Sequence, residues 1–205
     1  MTGVLLTGFE PFGGDLVNPS AEVVTALNGQ RVGGHDVTGV VLPCVFGASL
    51  DLLRAQLRLR DWSVVLCLGL AASRPVFSVE RIAINVDDAR IPDNAGQQPV
   101  DSPVVPGGPA GLFSTLPIKR MVSELQAAGL GAEVSQTAGT YVCNHVFYGL
   151  MHWASTQARP PRCGFVHVPA LSHTPLTTQV DAVRLALRAA LAAGDDIRTT
   201  GGAIE

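Results

Sequence analysis

The 205-residue sequence has few charged residues, no basic excess and no long apolar run. Charged side chains make up only 15% of it, and 14 basic against 17 acidic residues leave a formal net charge of −3. Such a chain has no electrostatic footprint for nucleic acid or for an anionic membrane surface. No apolar stretch approaches the roughly 20 residues needed to span a bilayer. We therefore expect neither nucleic acid nor a membrane among its partners.

The N-terminal residues also lack the features of a secretory signal. The apolar run Val4–Leu6 is short and has neither a basic flank nor a long apolar region. The expected compartment is the cytoplasm, where thiols stay reduced. The sequence contains no CxxC pair, so a zinc site has little support. Each of the four cysteines is therefore either core filling or a reactive group: Cys44, Cys67, Cys143 and Cys163.

Strand-like and helix-like segments alternate along the chain. The apolar runs Val4–Phe9 and Ser63–Leu68 are typical of strands buried in a parallel sheet, and Asn18-Pro19 is typical of a helix start. Further strands are predicted at 37–42, 76–86, 133–135 and 164–168, and helices at 20–27, 49–58, 118–128, 143–155 and 177–192. We predict a single domain over residues 1–205, an α/β/α three-layer sandwich with a twisted, mostly parallel (mixed) central sheet.

The segment from Asp87 to Leu112 is predicted to be a long connection. It is rich in proline, glycine, aspartate and asparagine. Long loops in compact domains are more often functional than not. In sheets of this kind, sites collect where the carboxyl ends of strands lead into helices. The residues that follow the predicted strands are therefore the first place to look for chemistry.

Cys143 is the strongest candidate for a reactive group. Small residues join a predicted strand to a helix that is predicted to begin at this cysteine. Unpaired amides and the positive dipole end at a helix start favour an anion, and such a setting lowers a thiol pKa. The same amides would stabilise an oxyanion, and Gly139 would let a substrate come close. The alternative is a small apolar residue packed at the helix start, which is the favoured interpretation for Cys44, Cys67 and Cys163.

A cysteine nucleophile needs a base, and five histidines compete for that role. His145 and His152 share the predicted helix of the cysteine but point to other faces, which favours surface or packing roles. His35 lies in a polar turn, and His173 lies in a loop before the last helix and stays a candidate. His167 is the best candidate because it lies near the carboxyl end of a strand, close to where the cysteine helix should begin. Its alternative is a hydrogen-bonded core histidine.

The third role, orienting the histidine, needs a carboxylate or an amide. Glu80 lies among apolar neighbours, where an unpaired charge would be costly. The alternative from pattern alone is a salt bridge from Glu80 to Arg81 or to Arg74. These local arguments give three groups for nucleophilic catalysis but no substrate.

Six sequence blocks occur in an order and spacing that together cover nearly the whole chain. They are LLTGFEPFGG (5–14), NPS (18–20), ERIAINVDDARIPDNAG (80–96), FSTLPIKRMV (113–122), TAGTYVCNHVFYGLMH (137–152) and GFVHVP (164–169). In these blocks the chain resembles the type I pyroglutamyl peptidases, also called pyrrolidone-carboxylate peptidases. A single block would be weak, but six in order are specific.

The resemblance implies a cysteine peptidase that hydrolyses an N-terminal pyroglutamyl residue from peptides. It implies an acyl-enzyme intermediate, no metal or organic cofactor, and a homo-oligomer such as a tetramer. The family's catalytic cysteine, histidine and glutamate fall on Cys143, His167 and Glu80. The resemblance thus agrees with the choices made from local chemistry for the first two and adds a role for the third.

The resemblance also implies positions that contact the substrate. The family's aromatic contacts to the lactam ring fall on Phe9 and Phe12, which would otherwise be core residues under a loop. Arg90, in the DAR motif, falls on a position linked to the active site. Leu70 stands where many bacterial members have glutamine, so a side-chain amide contact is absent while a backbone contact could remain. The chain also departs from the family after Pro169, where altered loop contacts could change affinity or substrate range.

Two other functions stay open at this level. One is a non-catalytic protein on the same scaffold that binds pyroglutamyl-like ligands, for which the departures at Leu70 and after Pro169 leave room. The other is an amidase with a shifted substrate range. An intact set of three catalytic groups argues against the pure binder, which has no need for all of them.

Overall fold

The structure is a computed structural model that describes residues 3–202, in which strands and helices alternate. The strands are β1 (Gly3–Phe9), β2 (Arg31–Val32), β3 (His35–Leu42), β4 (Trp62–Leu70), β5 (Phe77–Glu80), β6 (Ile82–Ile84), β7 (Gly111–Phe113), β8 (Ala132–Ser135) and β9 (Arg162–Val168). The helices are α1 (Pro19–Leu27), α2 (Ala48–Leu57), α3 (Ile118–Ala127), α4 (Val142–Ser155) and α5 (Leu176–Leu191).

Seven of the strands form one mixed sheet in the order β2-β3-β1-β4-β9-β5-β8. The central strands β3, β1, β4 and β9 are parallel, β5 runs antiparallel to β9, and β2 is antiparallel at one edge. Apolar side chains of α1, α3 and α5 cover one face of the sheet, and those of α2 and α4 cover the other. The predicted α/β/α sandwich around a mostly parallel sheet is confirmed.

The predicted elements are present, with ends that shift by one or two residues. Asn18 caps α1 as predicted, because its Oδ1 accepts a hydrogen bond from the Ser20 amide at 3.0 Å. The predicted strand at 76–86 is in fact two strands, since β5 joins the main sheet while β6 pairs with β7 in a separate two-stranded ribbon. The helix predicted to begin at Cys143 begins one residue earlier, so this cysteine is its second residue.

The fold brings the ends of β4 and β9 close to the start of α4. The two strands pair in parallel, with Gly69 opposite His167 and Leu70 opposite Val168. On the neighbouring strand β1, Gly8 lets α1 approach closely, since a Cβ built there would lie 2.4 Å from the carbonyl oxygen of Ser20. Within residues 3–202, no helix has the length and apolar character required for crossing a bilayer.

Candidate active site

Cys143 is half-buried at the start of α4, with its sulfur against the backbone of β4. A Cβ built at Gly69 would lie 2.8 Å from Cys143 Sγ, so a larger residue there would displace the thiol. Tyr141, the residue before the helix, donates no capping side chain. The first-turn amides of α4 are therefore free of a side-chain partner and can face an anion. Gly139 has φ of 77°, a left-handed backbone that favours glycine, and open space lies above it.

His167, near the end of β9, is oriented by Glu80. Its Nδ1 lies 2.7 Å from Glu80 Oε1, and both side chains are buried. Because an ionised carboxylate only accepts hydrogen bonds, the proton lies on Nδ1, which donates a hydrogen bond to Glu80 Oε1. The lone pair of a neutral imidazole then lies on Nε2, which can take a proton from a nucleophile. In the described residues, no hydrogen bond joins Cys143 Sγ to His167, which is common in sites without a bound substrate.

Glu80 also forms a salt bridge to Arg74, which is the alternative interpretation of this residue from sequence. Arg74 Nη1 donates to Glu80 Oε1 at 2.9 Å, the same oxygen that accepts from His167. Arg81, the other candidate partner, instead donates to Gln136 Oε1 and to the carbonyl oxygen of Gly201. The carboxylate of Glu80 therefore contacts the histidine and one arginine at once.

Cys143 and His167 line the same cleft, whose volume is about 270 Å³. A cleft of this size, at the small end of ligand pockets, suits a small ring rather than a large ligand. The structure brings the predicted residues Phe12, Leu70 and Arg90 together on its walls. The other lining residues are Asp88, Ile91, Ala138, Thr140 and Tyr141.

Phe9 is the one predicted substrate contact that does not line the cleft. Its side chain is 1% exposed, and its ring centroid lies 6.4 Å from that of Phe165 in the core. In this structure it packs beneath the strand ends, as the alternative interpretation from sequence holds. A contact between Phe9 and a bound ring therefore stays a prediction.

The thiol of Cys143 does not titrate as its helix position alone predicts. Burial raises the pKa of Cys143 above its ordinary value, the Glu80 carboxylate acts in the same direction, and Arg74 acts in the opposite one. This direction is opposite to the one that the helix start favours, and loss of hydration is its largest cause. A protonated thiol gives a thiolate by transfer of its proton to a base, and His167 is the histidine that lines the cleft.

The remaining cysteines have the packing roles predicted for them. All four cysteines are free thiols, and Cys44, Cys67 and Cys163 are buried. Burial raises the pKa of Cys44 to about 12 and that of Cys67 to about 12, so both are neutral thiols near pH 7. Since neither lines the cleft that holds His167, neither competes with Cys143 for the proposed chemistry.

The other histidines lie outside the cleft. His35 lies in β3 with its Nδ1 3.0 Å from the carbonyl oxygen of Gly33, and His152 stacks on Tyr148. His173 is exposed in the turn after β9. None of these three lines the cleft.

A second buried histidine–carboxylate pair, which the sequence did not reveal, lies in the first turns of the helix that carries Cys143. His145 Nδ1 lies 2.8 Å from Asp87 Oδ2, and its Nε2 accepts a hydrogen bond from the Gly47 amide at 3.1 Å. The acceptor role of Nε2 places the proton on Nδ1, so this imidazole is neutral and its tautomer is fixed. Through these two contacts His145, in α4, binds both the long loop and the start of α2. No local signal in the sequence indicated this pair, because Asp87 and His145 are 58 residues apart and meet only in the folded chain.

A larger hollow, of about 380 Å³, lies between α3, β8 and residues 199–202. No cysteine or histidine lines it, so it offers neither a thiol nor an imidazole. Residues 3–202 also contain no group of three or more histidine, cysteine, aspartate or glutamate side chains that could hold a metal ion. The candidate chemistry therefore centres on the cleft at Cys143.

This arrangement is suited to attack on a carbonyl carbon by sulfur, with the proton carried by His167. Together with the α/β/α sandwich, it defines the class of protein as a cysteine hydrolase.

Comparison with known proteins gives the family. The sequence model of the pyroglutamyl peptidase family matches residues 2–193. The chain is 48% identical to the pyrrolidone-carboxylate peptidase of Erwinia tasmaniensis over 99% of both proteins. It is 57% identical to that of Streptomyces coelicolor over 82% of this chain and 78% of the relative. The chain belongs to the pyroglutamyl peptidase family and is accordingly a hydrolase.

Solved structures give the same result for the fold. The chain is similar to pyroglutamyl peptidase I from Bacillus amyloliquefaciens, with a TM-score of 0.92, 43% identity and coverage of 96% of this chain and 100% of that one. It is also similar to a mutant pyrrolidone carboxyl peptidase from Pyrococcus furiosus, with a TM-score of 0.90, 39% identity and coverage of 93% and 98%.

Proposed function

We propose that this protein removes N-terminal pyroglutamyl residues from peptides, with Cys143 as nucleophile, His167 as acid and base, and Glu80 as orienting carboxylate. One observation carries the proposal. In a member of the pyroglutamyl peptidase family, a half-buried cysteine and a carboxylate-bound histidine line the same small cleft. No other free thiol lines that cleft.

The proposed reaction has two stages. His167 Nε2 takes the Cys143 thiol proton as sulfur attacks the scissile carbonyl carbon, and amides at the start of α4 stabilise the oxyanion. The tetrahedral intermediate collapses to a thioester, and the shortened peptide leaves with its new amine protonated by His167. Water then attacks the thioester carbonyl while His167 accepts its proton. Release of pyroglutamic acid restores the thiol.

Proton transfer to His167 is central because burial raises the pKa of Cys143. A thiol that stays protonated at neutral pH is protected from side reactions until a base removes its proton. Glu80 supports that step by holding the ring and stabilising the imidazolium that forms. In this proposal, His167 and Glu80 together activate the thiol.

The cleft walls match the chemistry of a pyroglutamyl ring. The ring is flat, small and uncharged, so apolar and aromatic walls from Phe12, Leu70 and Tyr141 can enclose it. Backbone groups would pair with the lactam N–H and C=O. No carboxylate is needed to recognise an N-terminal ammonium, because the pyroglutamyl residue has none.

The wider setting of the protein is part of the same proposal. Residues 1–205 would act as one peptidase domain in the cytoplasm, without a metal or organic cofactor, and would assemble as a homo-oligomer, a tetramer by family resemblance. Sedimentation or light scattering would give the mass of the assembly directly.

The first test is Cys143→Ala in an assay that follows release of a chromogenic amine from a pyroglutamyl substrate. Loss of the nucleophile should lower kcat by about 10⁴-fold or more. Cys163→Ala is the matched control, because it removes another buried free thiol that lies outside the cleft, and kcat should stay near wild type. Iodoacetamide, which alkylates thiols, should inactivate the wild-type protein by modifying Cys143.

The same assay separates the competing functions. Full activity of Cys143→Ala would overturn the proposed mechanism. Binding of a pyroglutamyl ligand with no turnover by the wild type would identify a binding protein. Faster turnover of other amides than of pyroglutamyl amides would identify an amidase with a shifted range.

A further inference from the structure

Arg74 contacts both Glu80, which binds His167, and the segment that precedes Cys143. It lies in the loop after β4, with its side chain 28% exposed. Its Nη1 donates to Glu80 Oε1 at 2.9 Å and to Ser135 Oγ at 3.1 Å, and its Nη2 donates to the carbonyl oxygen of Thr137 at 2.9 Å. One guanidinium thus binds both the carboxylate that orients His167 and the segment that leads into the helix of Cys143.

Apart from Arg74 and His167, the Glu80 carboxylate has no group that compensates for its charge in the described residues. Its side chain has no exposed surface, Oε1 accepts from both His167 and Arg74, and Oε2 is buried without a hydrogen-bond partner in the described residues. An ionised carboxylate in such a place is costly unless a charge compensates for it. His167 cannot serve as that charge, because as a base it must be neutral before it acts. Arg74 is the cation that remains charged at every working pH.

From these contacts we infer that Arg74 is a positioning residue of the active site, which keeps Glu80 ionised and keeps His167 available as a base. The inference rests on the proposed function, since it assigns a role only through Glu80 and His167.

The effect of Arg74 on protonation has a definite sign. Glu80 and His167 share a hydrogen bond, so a charge that acts on one of them acts on both. A fixed positive charge next to the pair disfavours uptake of a proton, whichever of the two residues binds it. Removal of Arg74 therefore raises the pH at which the pair binds its inactivating proton, and the acid limb of the activity profile moves to higher pH.

Other groups facing His167 remain in place when Arg74 is changed. They are Glu80 from β5, Cys143 and Tyr141 at the start of α4, and Asp88 and Arg90 from the long loop. Since all of them are common to the wild type and to the Arg74 variants, a difference in the acid limb reports the charge at position 74.

The test is the pH profile of kcat/KM for Arg74→Met, Arg74→Lys and the wild type. The methionine variant should lose at least about tenfold in kcat/KM, and its acid limb should move up by about one pH unit. The lysine variant should keep the acid limb of the wild type but lose severalfold in kcat, because one ammonium cannot reproduce the planar fork that contacts three acceptors.

Arg81→Met is the matched control. Arg81 is adjacent to Glu80 in sequence but binds Gln136 and Gly201 instead of the carboxylate. Its removal should leave the acid limb in place and kcat near wild type. Should Arg74→Met not fold, Arg74→Gln makes the same test, because it keeps an amide donor while it removes the charge.

Three outcomes would overturn the inference: an unmoved acid limb in the uncharged variants, an acid limb in Arg74→Lys that moves as far as in Arg74→Met, or the same shift in Arg81→Met. If neither uncharged variant folds, the lysine variant decides, since an acid limb displaced from that of the wild type would overturn the inference. Failure of the proposed function is distinguishable, since it would appear as activity in Cys143→Ala, whatever the Arg74 series shows.

Discussion

Cys143 is a thiol that needs a partner before it becomes a nucleophile. Burial raises its pKa, Glu80 acts in the same direction, and the opposite effect of Arg74 does not offset them. A residue with a raised pKa is protonated at neutral pH and becomes reactive only as the pH rises toward that value. In the proposed mechanism His167 supplies the alternative route, because it accepts the proton at the moment of attack. Reactivity at this residue is therefore a property of the pair.

This coupling predicts the alkylation behaviour of the thiol. At pH 7, iodoacetamide should label Cys143 in His167→Ala at least about tenfold more slowly than in the wild type, because no base then takes the proton. Labelling of the variant should rise steadily through the alkaline range, as expected for a thiol with a raised pKa. Mass spectrometry of the labelled peptide measures both rates. Equal rates in the two proteins at pH 7 would show that the thiolate forms without the histidine.

At the scale of elements, the first turn of α4 does more than present the nucleophile. Asn144 Oδ1 accepts from the Ile84 amide at 3.0 Å, and its Nδ2 donates to the carbonyl oxygens of Ile84 and Val86. His145 then binds Asp87 and Gly47. Consecutive residues of one helix turn therefore fix β6, the long loop and the start of α2 around the cleft.

Asp87→Ala tests the His145 contact. The substitution leaves the buried Nδ1–H of His145 without its acceptor, which should lower the free energy of unfolding by about 1–3 kcal/mol. Asp87→Asn should retain more of the stability, since an amide oxygen can still accept from His145. Asp36→Ala, which removes an exposed ion pair with Arg31, should change stability by about 0–1 kcal/mol.

Urea unfolding followed by circular dichroism measures these differences. Equal midpoints for Asp87→Ala and Asp36→Ala would mean that the buried pair contributes no more than a surface pair.

At the scale of the whole molecule, the C-terminal residues hold α3 in place. Pro117, at the start of α3, supplies no side-chain cap. The cap comes from Asp196, 76 residues after Arg120, whose two carboxylate oxygens accept from the amides of Lys119 and Arg120 at 2.9 and 2.8 Å. The end of the chain therefore satisfies the helix start that the local sequence leaves open.

Asp196→Ala should lower the free energy of unfolding by about 0.5–2 kcal/mol, the usual cost of losing an N-cap. Asp195→Ala is the matched control, because Asp195 is the residue before Asp196 and its side chain is exposed and caps no helix. Thermal and urea unfolding of the two variants beside the wild type give the comparison. A loss of stability in Asp195→Ala as large as in Asp196→Ala would contradict the capping role.

Much of the fold was predictable because its signals are local. The apolar run of β4, the Asn18 cap of α1 and the apolar spacing of α3 each depend on neighbouring residues. The split of 76–86 into β5 and β6 was not predictable, because it depends on which distant strand each half pairs with. Phe9 shows the same limit, since its position in the core depends on Phe165, far along the chain.

The sequence by itself determined the α/β alternation, the family, and the choice of Cys143, His167 and Glu80 as candidates, because these rest on residue type and order. Only the tertiary structure decided how they interact. Pairing of β5 beside β9 places Glu80 against His167, burial raises the pKa of the thiol, and Arg74 shares the carboxylate. The physical reason is that burial and long-range contact set charge and hydrogen bonding, and neither is a property of a local stretch of chain.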